Sequence, residues 1–294
     1  MLRIGLFLRT QKGFFALRGL LTQCSTNEIA FVVAARDHGM KKDFYKEIKA
    51  LCRKTGVPFF DAGQKKYQRL MQSTTCILAA GWNRMIEHPG MLMVFHDSLL
   101  PRYRGFIPLV NMLINGEKRI GATVILASEE YDRGDIVIQK SVRISYPIKI
   151  QQALEKICHL YAEMAAQLYE KLKNKKLALR KQNEKLASYS PWLDECDYLI
   201  DWSWSAEKIK RFIDATGFPY FGAATFVKDR RYRILQAEAI SDIKVPDRER
   251  HLGKVIFFRQ QKPVVICGKG LLKIDQIVDQ DGITVPLGIR TRFR

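Results

Sequence analysis

Short apolar runs alternate with helix-length stretches through the first half of this chain, and no other feature limits its fold so sharply. Arg3 to Leu8, Ile29 to Ala34, Cys76 to Ala79, Met91 to Phe95 and Ile120 to Leu126 read as strands. A helix follows the first strand, and Lys42 to Lys54 and Phe106 to Ile114 read as helices between later ones. Such alternation predicts a parallel sheet with crossover helices, an α/β domain. From Ile150 to about Leu172, the spacing of Ala153, Leu154, Ile157, Leu160, Tyr161, Met164, Ala165 and Leu168 is helical and predicts one long closing element.

Beyond Pro191 the pattern changes. Ile209, Phe212, Ile213 and Thr216 mark one short helix, and Lys254 to Phe258, Pro263 to Cys267 and Leu271 to Val278 look like hairpin strands of a small barrel or sheet. With 294 residues and 47% hydrophobic content, two domains are expected, with residues 1–185 forming the larger and 186–294 the smaller, mostly β one.

Cys24, Cys52, Cys76, Cys158, Cys196 and Cys267 are far apart and form no C-x-x-C, which argues against a zinc cage or a disulfide framework and for reduced thiols in a cytoplasmic protein. His38, His88, His159 and His251 lack metal-ligand spacing and read as structural or surface residues, so no metal is expected. Arg9, Lys12 and Arg18 interrupt every apolar run near the start, so a strand and helix are expected there, not a secretory or membrane segment. The net charge of +19 attracts anions as a class, from nucleotide to nucleic acid. Part of it is local, in Lys171, Lys173, Lys175, Lys176, Arg180, Lys181 and Lys185, where a solvated helix end and linker is the ordinary reading.

The segment from Val94 to Asp135 carries the chemistry. His96 ends an apolar run and precedes a loop with Pro101 and Gly105, a place where a buried strand delivers a side chain to a sheet edge, and ligands of open α/β sheets bind at such edges. The loop reads HDSLLPRYRG and is followed by INGEKRIGATV and EEYDRGD. These motifs resemble the folate-dependent formyltransferases, which include the methionyl-tRNA, glycinamide ribonucleotide and sugar N-formyltransferases. In that family the first loop reads approximately H-x-S-L-L-P-x-Y-x-G and the second L-D-x-G, at a separation that His96 and Asp132 match. LAAGWNRMI is similar to the family's pterin-side loop, and LIDWSWSAEKIKRFIDATGFPYFGAATFV to the entry into its second domain. The resemblance implies a Rossmann-like catalytic domain and an OB-like C-terminal domain. It also implies passage of a formyl group from 10-formyltetrahydrofolate to an amine, with no metal.

An amine attacking a formyl carbon must lose a proton as an oxyanion forms, so a group that titrates near neutrality and a carboxylate are the residue types needed. His96 can donate to the oxyanion or take the amine proton, while Asp132 can fix the imidazole tautomer and hold a water in the relay. One residue departs from the family: Val94 stands where an Asn amide would stabilise the oxyanion, leaving Asn83 or a backbone N–H of the Asp132 loop as substitutes. For the folate, Trp82 and Ile86 are expected to form apolar walls, with Asn83, Arg84 and Met85 lining the same loop. Main-chain groups from Ser128 through Glu129, Glu130 and Tyr131 to Asp132 are expected to bind the pterin. The sharp turn beside His96 predicts a cis Leu100–Pro101 peptide.

Three functions follow. The first is formyl transfer to a nucleotide-linked amino sugar, the acceptor that HDSLLPRYRGF, AGWNRMI and IRTRFR most resemble. Lys12, Arg102, Tyr103 and Arg104 are then candidates for its diphosphate and sugar. The second is methionyl-tRNA formylation, with the Lys171 to Lys185 stretch on the acceptor arm. The third is a noncatalytic folate or nucleotide binder that lost its donor at Val94. Glycinamide ribonucleotide is disfavoured because RTQKGF after the first strand is not a small-residue phosphate cradle. The aromatic cluster Trp202, Trp204, Tyr220 and Phe221 favours core packing over base stacking or a homodimer contact.

Overall fold

The computed structural model describes residues 2–37, 42–87 and 90–294, so His38 and His88 lie outside the described residues. In chain order the elements are β1 (Ile4–Leu8), α1 (Thr10–Leu20), β2 (Ile29–Ala34), α2 (Tyr45–Thr55), β3 (Phe59–Asp61), α3 (Gln68–Met71), β4 (Cys76–Ala80), β5 (Met91–His96), β6 (Arg104–Gly105) and α4 (Pro108–Ile114). They continue with β7 (Arg119–Leu126), β8 (Ile136–Arg143), α5 (Ile150–Lys173), β9 (Tyr189–Ser190), α6 (Ala206–Thr216), β10 (Ala223–Val227), β11 (Arg230–Ile240), β12 (Val255–Arg259), β13 (Lys262–Ile266) and β14 (Leu271–Val278). The chain divides into two compact units, residues 1–109, 119–144 and 153–191 forming one and 110–118, 145–152 and 192–294 the other. The main boundary thus falls a few residues beyond 185.

The first unit holds a seven-stranded sheet in the order β3-β2-β1-β4-β5-β7-β8. β1, β2 and β4 are buried along their whole length, as central parallel strands covered on both faces must be. The sheet is parallel only from β3 to β5; β7 pairs antiparallel with both β5 and β8. The parallel expectation fails at this edge: the 127–135 connection is too short to carry a crossover helix, so β7 and β8 pair antiparallel, and β7 also runs against β5 although the 97–118 connection between them includes α4. α1 and α5 approach closely: a Cβ at Gly19 would stand 2.1 Å from the Ala162 carbonyl oxygen, and Phe15 meets His159 edge-on at 5.5 Å. Tyr169 of α5 donates a 2.7 Å hydrogen bond to Glu28, holding that carboxyl below its ordinary range together with the Ser25 N–H and Lys173.

The second unit is a five-stranded antiparallel sheet, β10-β11-β14-β13-β12, with α6 against it. The OB-like expectation fits this sheet, and residues 291–294 join its two edges. The Phe226 and Arg294 backbones exchange two bonds at one edge, while Val255 N–H donates to Thr291 and Phe293 N–H to Gly253 at the other. Unpaired edges template aggregation, and this bridging covers them. Phe293 is buried and stacks on Trp202 at 5.2 Å. Trp202 is therefore core and Trp204 lies half-buried against the same cluster, whereas Phe221 is exposed. All six cysteines are free thiols, five of them buried. Among the described residues no helix is long and apolar enough to cross a membrane.

Phe293→Ala should cost about 3–5 kcal/mol, the usual range for a buried aromatic truncated in a core, read as a lower urea midpoint followed by tryptophan fluorescence. Tyr169→Phe should destabilise the chain at neutral pH. The folded Glu28 pKa lies below the unfolded one, so its contribution is present above the carboxylate range and lost as pH falls through it. The difference between the two proteins in urea titrations should accordingly shrink toward pH 3.

Candidate functional site

His96 is the last residue of β5, paired across the sheet with Thr123 of β7, and its side chain is 8% exposed. Its Nε2 lies 2.8 Å from the Tyr103 carbonyl oxygen. A carbonyl only accepts, so Nε2 carries a hydrogen and Nδ1 is the ring atom left to exchange a proton. Nδ1 faces Asp132 Oδ1 at 3.4 Å. The sequence motifs therefore do meet in space, with one correction. Nε2 is committed to the Tyr103 carbonyl, so Asp132 faces Nδ1 instead of fixing the tautomer from behind.

The loop after His96 is held on several sides. Thr123 Oγ1 donates to the Ser98 carbonyl at 2.6 Å and accepts from Leu100 N–H at 3.2 Å, and Gln139 donates to the Leu100 carbonyl at 2.9 Å. The Leu100–Pro101 peptide is cis, as expected, and Tyr103 adopts a left-handed φ of 58°. Gly105 at φ 98° must be glycine, since a Cβ there would meet the Ser190 carbonyl oxygen at 2.6 Å. Its N–H donates to Asp132 Oδ2 at 2.8 Å. Asp132 is itself left-handed at φ 57°, a region that aspartate enters more readily than most residues.

Two of the four cations and rings expected on a diphosphate are committed inside the protein. Arg104 is 1% exposed and forks onto the Glu184 carboxylate at 2.8 and 2.6 Å, with Gln182 as a further partner. That pairing holds the Glu184 carboxyl below its ordinary range. Lys12, on α1, donates to Asp97, whose other oxygen accepts from the fully buried Tyr161 hydroxyl. Burial first, and the Asp97 charge second, push the Tyr161 hydroxyl well up. Removing two charges from water is expensive, so a buried carboxylate keeps its cation and hydroxyl as internal partners, not as surplus for a ligand. Tyr103 is also buried, whereas Arg102 is exposed with its guanidinium 5.4 Å from the Tyr103 ring.

The loop after β4 divides by burial. Trp82 and Ile86 are half-buried against a cluster of Phe7, Phe31, Ile77 and Ala79, with the Trp82 and Phe7 rings edge-to-face at 5.1 Å. Asn83, Arg84 and Met85 point to solvent, Met85 at 72% exposure. Among the described residues, the Trp82 indole N–H is buried without a partner, as are Thr10 Oγ1 and Arg9 Nε. These atoms belong to the residues that directly follow β4 and β1. A bound acceptor would satisfy such an orphaned donor, and buried donors are seldom left unmade otherwise. In the second loop, Ser128 closes a turn onto the Glu130 carbonyl at 2.8 Å, Glu130 pairs with Arg133 at 2.8 Å, and Glu129 and Tyr131 are exposed. Val94, half-buried, packs on Leu100, Ile125 and Ile136, so the wall two residues before His96 is apolar.

Asp97, Tyr161 and Gln182 were not expected at the site. Asp97 adjoins His96 in sequence and was legible in principle; Tyr161 read as one more core position of α5, and Gln182 sits in a charged linker. His159 and His251 are structural, the latter bonded to Lys254 at 3.0 Å. Among the described residues, no group of three or more His, Cys, Asp or Glu could hold a metal ion.

A family model described as formyl transferase matches residues 17–169, and one described as formyl transferase, C-terminal domain, matches 193–287. A methionyl-tRNA formyltransferase of Citrifermentans bemidjiense is 31% identical over 193 residues, which cover 66% of this chain and 58% of that protein. The chain thus spans less than two thirds of that relative's length. Among solved structures, an N-formyltransferase from Helicobacter canadensis in complex with folinic acid and dTDP-3-aminofucose superposes with a TM-score of 0.67 at 12% identity. It covers 93% of this chain and 99% of its own. HypX from Aquifex aeolicus in complex with tetrahydrofolic acid gives 0.62 at 18% identity, covering 97% and 46%. At these identities the structures share the fold. By its sequence matches in both domains, this chain belongs to the formyl transferase family.

Proposed function

We propose that this protein transfers a formyl group from 10-formyltetrahydrofolate to the amine of a nucleotide-linked amino sugar. The observation that carries the transfer is the His96 ring, with Nε2 committed to the Tyr103 carbonyl and Nδ1 turned to Asp132. 10-Formyltetrahydrofolate supplies an electrophilic formyl carbon. Trp82 and Ile86 would wall it and the main chain of 128–132 would meet its pterin edge, and the orphaned Trp82 N–H fits a ligand rich in acceptors.

The protein's part is to move a proton and steady charge. As the amine nitrogen bonds to the formyl carbon it must shed a proton, and Nδ1 of His96 is the ring position able to take it; the bond from that carbon to N10 would then break, the proton passing to N10 as tetrahydrofolate leaves. Asp132 Oδ1 stabilises the imidazolium so formed, while Gly105 N–H anchors the other carboxylate oxygen. Val94 gives no hydrogen bond to the formyl oxygen, and loss of such a donor lowers a rate on the order of a hundred- to a thousandfold.

The amino-sugar acceptor is supported by the near end-to-end match to the fold of an N-formyltransferase in complex with dTDP-3-aminofucose. Methionyl-tRNA is the second reading. It is favoured by the names of the sequence relatives and by the exposure of Lys173, Lys175, Lys176, Lys181 and Lys185 along one stretch.

Purified protein mixed with 10-formyltetrahydrofolate and a panel of nucleotide-linked amino sugars should release tetrahydrofolate with one of them and not with methionyl-tRNA; turnover with the tRNA alone would reverse the assignment. His96→Asn and Asp132→Asn should each lower kcat by about 10²- to 10⁴-fold with folate affinity retained by calorimetry. Val94→Asn should raise kcat by on the order of a hundredfold. Tight folate binding with no turnover, even in Val94→Asn, would point to a noncatalytic folate binder.

A further inference from the structure

Asp132 is held from behind by a side chain fifty residues away in sequence. Gln182 Nε2 donates to the Asp132 carbonyl at 2.7 Å and to the Gly134 carbonyl at 2.8 Å. Its Oε1 accepts from Arg104 Nε at 3.2 Å and Nη2 at 2.8 Å. Neighbouring bonds keep the same stretch in place. Arg180 and Ile136 exchange backbone bonds at 2.8 and 2.9 Å, β6 pairs with β9, and Arg104 N–H donates to the Ser188 carbonyl at 2.8 Å.

The chemistry of a primary amide explains why this residue suits the position. A guanidinium only donates, so Arg104 captures the amide oxygen and turns both amide hydrogens to the opposite side. There they meet two carbonyls that flank Arg133, in the turn that places Asp132 at its left-handed φ. The residue beside Arg104 in sequence, Gly105, grips the Asp132 carboxylate itself. The Arg104 guanidinium thus orients Gln182 on the Asp132 backbone, while the pairing of β6 with β9 places Gly105 on the Asp132 side chain.

We infer that Gln182 is a positioning residue: oriented by Arg104, it fixes the Asp132 carboxylate opposite His96 Nδ1. The effect on rate rests on the formyl-transfer reading; the effect on Asp132 does not. Gln182→Glu is the informative variant, because it keeps an oxygen toward Arg104 and the side chain's shape but turns an acceptor against two carbonyls. Gln182→Met, which adds no charge, is its companion.

Misplacing a reacting group by about 1 Å costs on the order of a hundredfold, and a fall in kcat of about 10- to 100-fold is expected for Gln182→Glu, with the melting temperature little changed. Exchange of the Gly105 amide hydrogen, followed by NMR, should quicken in both variants as the Asp132 carboxylate loosens. In an Asp132→Asn background the same substitution should have almost no further effect on kcat, because both changes act through one group. Unaltered Gly105 exchange would overturn the inference whatever the turnover. So would faster exchange with unchanged kcat, or an equal loss of kcat in both backgrounds. Should the wild-type protein turn over no acceptor, formyl transfer fails by itself, and Gly105 exchange still decides whether Gln182 holds Asp132.

Discussion

A backbone carbonyl has no hydrogen to give, and the bond between the Tyr103 carbonyl and His96 Nε2 therefore fixes how the imidazole ring is presented. It leaves one ring nitrogen for proton exchange and aims that nitrogen at Asp132. Everything that places Tyr103 serves this bond: the turn through Pro101, the Ser188 hydroxyl accepting from Tyr103 N–H at 2.9 Å, and the Ser98 hydroxyl on the Arg102 carbonyl at 2.6 Å. Asp132 is positioned with equal care by Gly105 and Gln182. The pair is thus pre-arranged by groups outside it.

The same region shows how a basic chain can spend its cations internally. Arg104 and Lys12 both lie beside the site, and both are held by carboxylates, Glu184 and Asp97. A net charge of +19 suggests cations ready for a phosphate-bearing ligand, yet here the nearest ones serve the architecture. Pairing is the condition of their burial, because a cation removed from water without a partner is strongly destabilising. The exposed lysines of 171–185 carry the long-range field instead.

Much of the fold was legible because it is written in local periodicity. β2 and β14 match their expected limits, and β1, β4, β5, β7 and α5 fall within a residue or two. The antiparallel β7–β8 pairing was not legible because β8 reads IVIQKSVR, a run whose pairing is set by the length of the loop before it and not by its own pattern, and the reversal of β7 against β5 has no local signal either. The bridging of the second sheet's edges by residues 291–294 was missed for a like reason. Phe293 is one apolar residue among arginines, and its burial in the cluster that holds Trp202 becomes visible only in the fold.

Residue type, order and short-range spacing were enough to point to a sheet-based first half, a mostly β second half, and His96 and Asp132 as the pair to examine. Those properties follow from hydrophobic alternation and from loop motifs, which act over a few neighbouring residues. Which ring nitrogen of His96 is available, that Arg104 and Lys12 are occupied, and that Gln182 supports Asp132 were decided by the tertiary structure alone. Each depends on partners brought together across as many as 85 positions, and hydrogen bonds and ion pairs of that kind depend on distance and direction in space, to which the order of residues along the chain gives no direct measure.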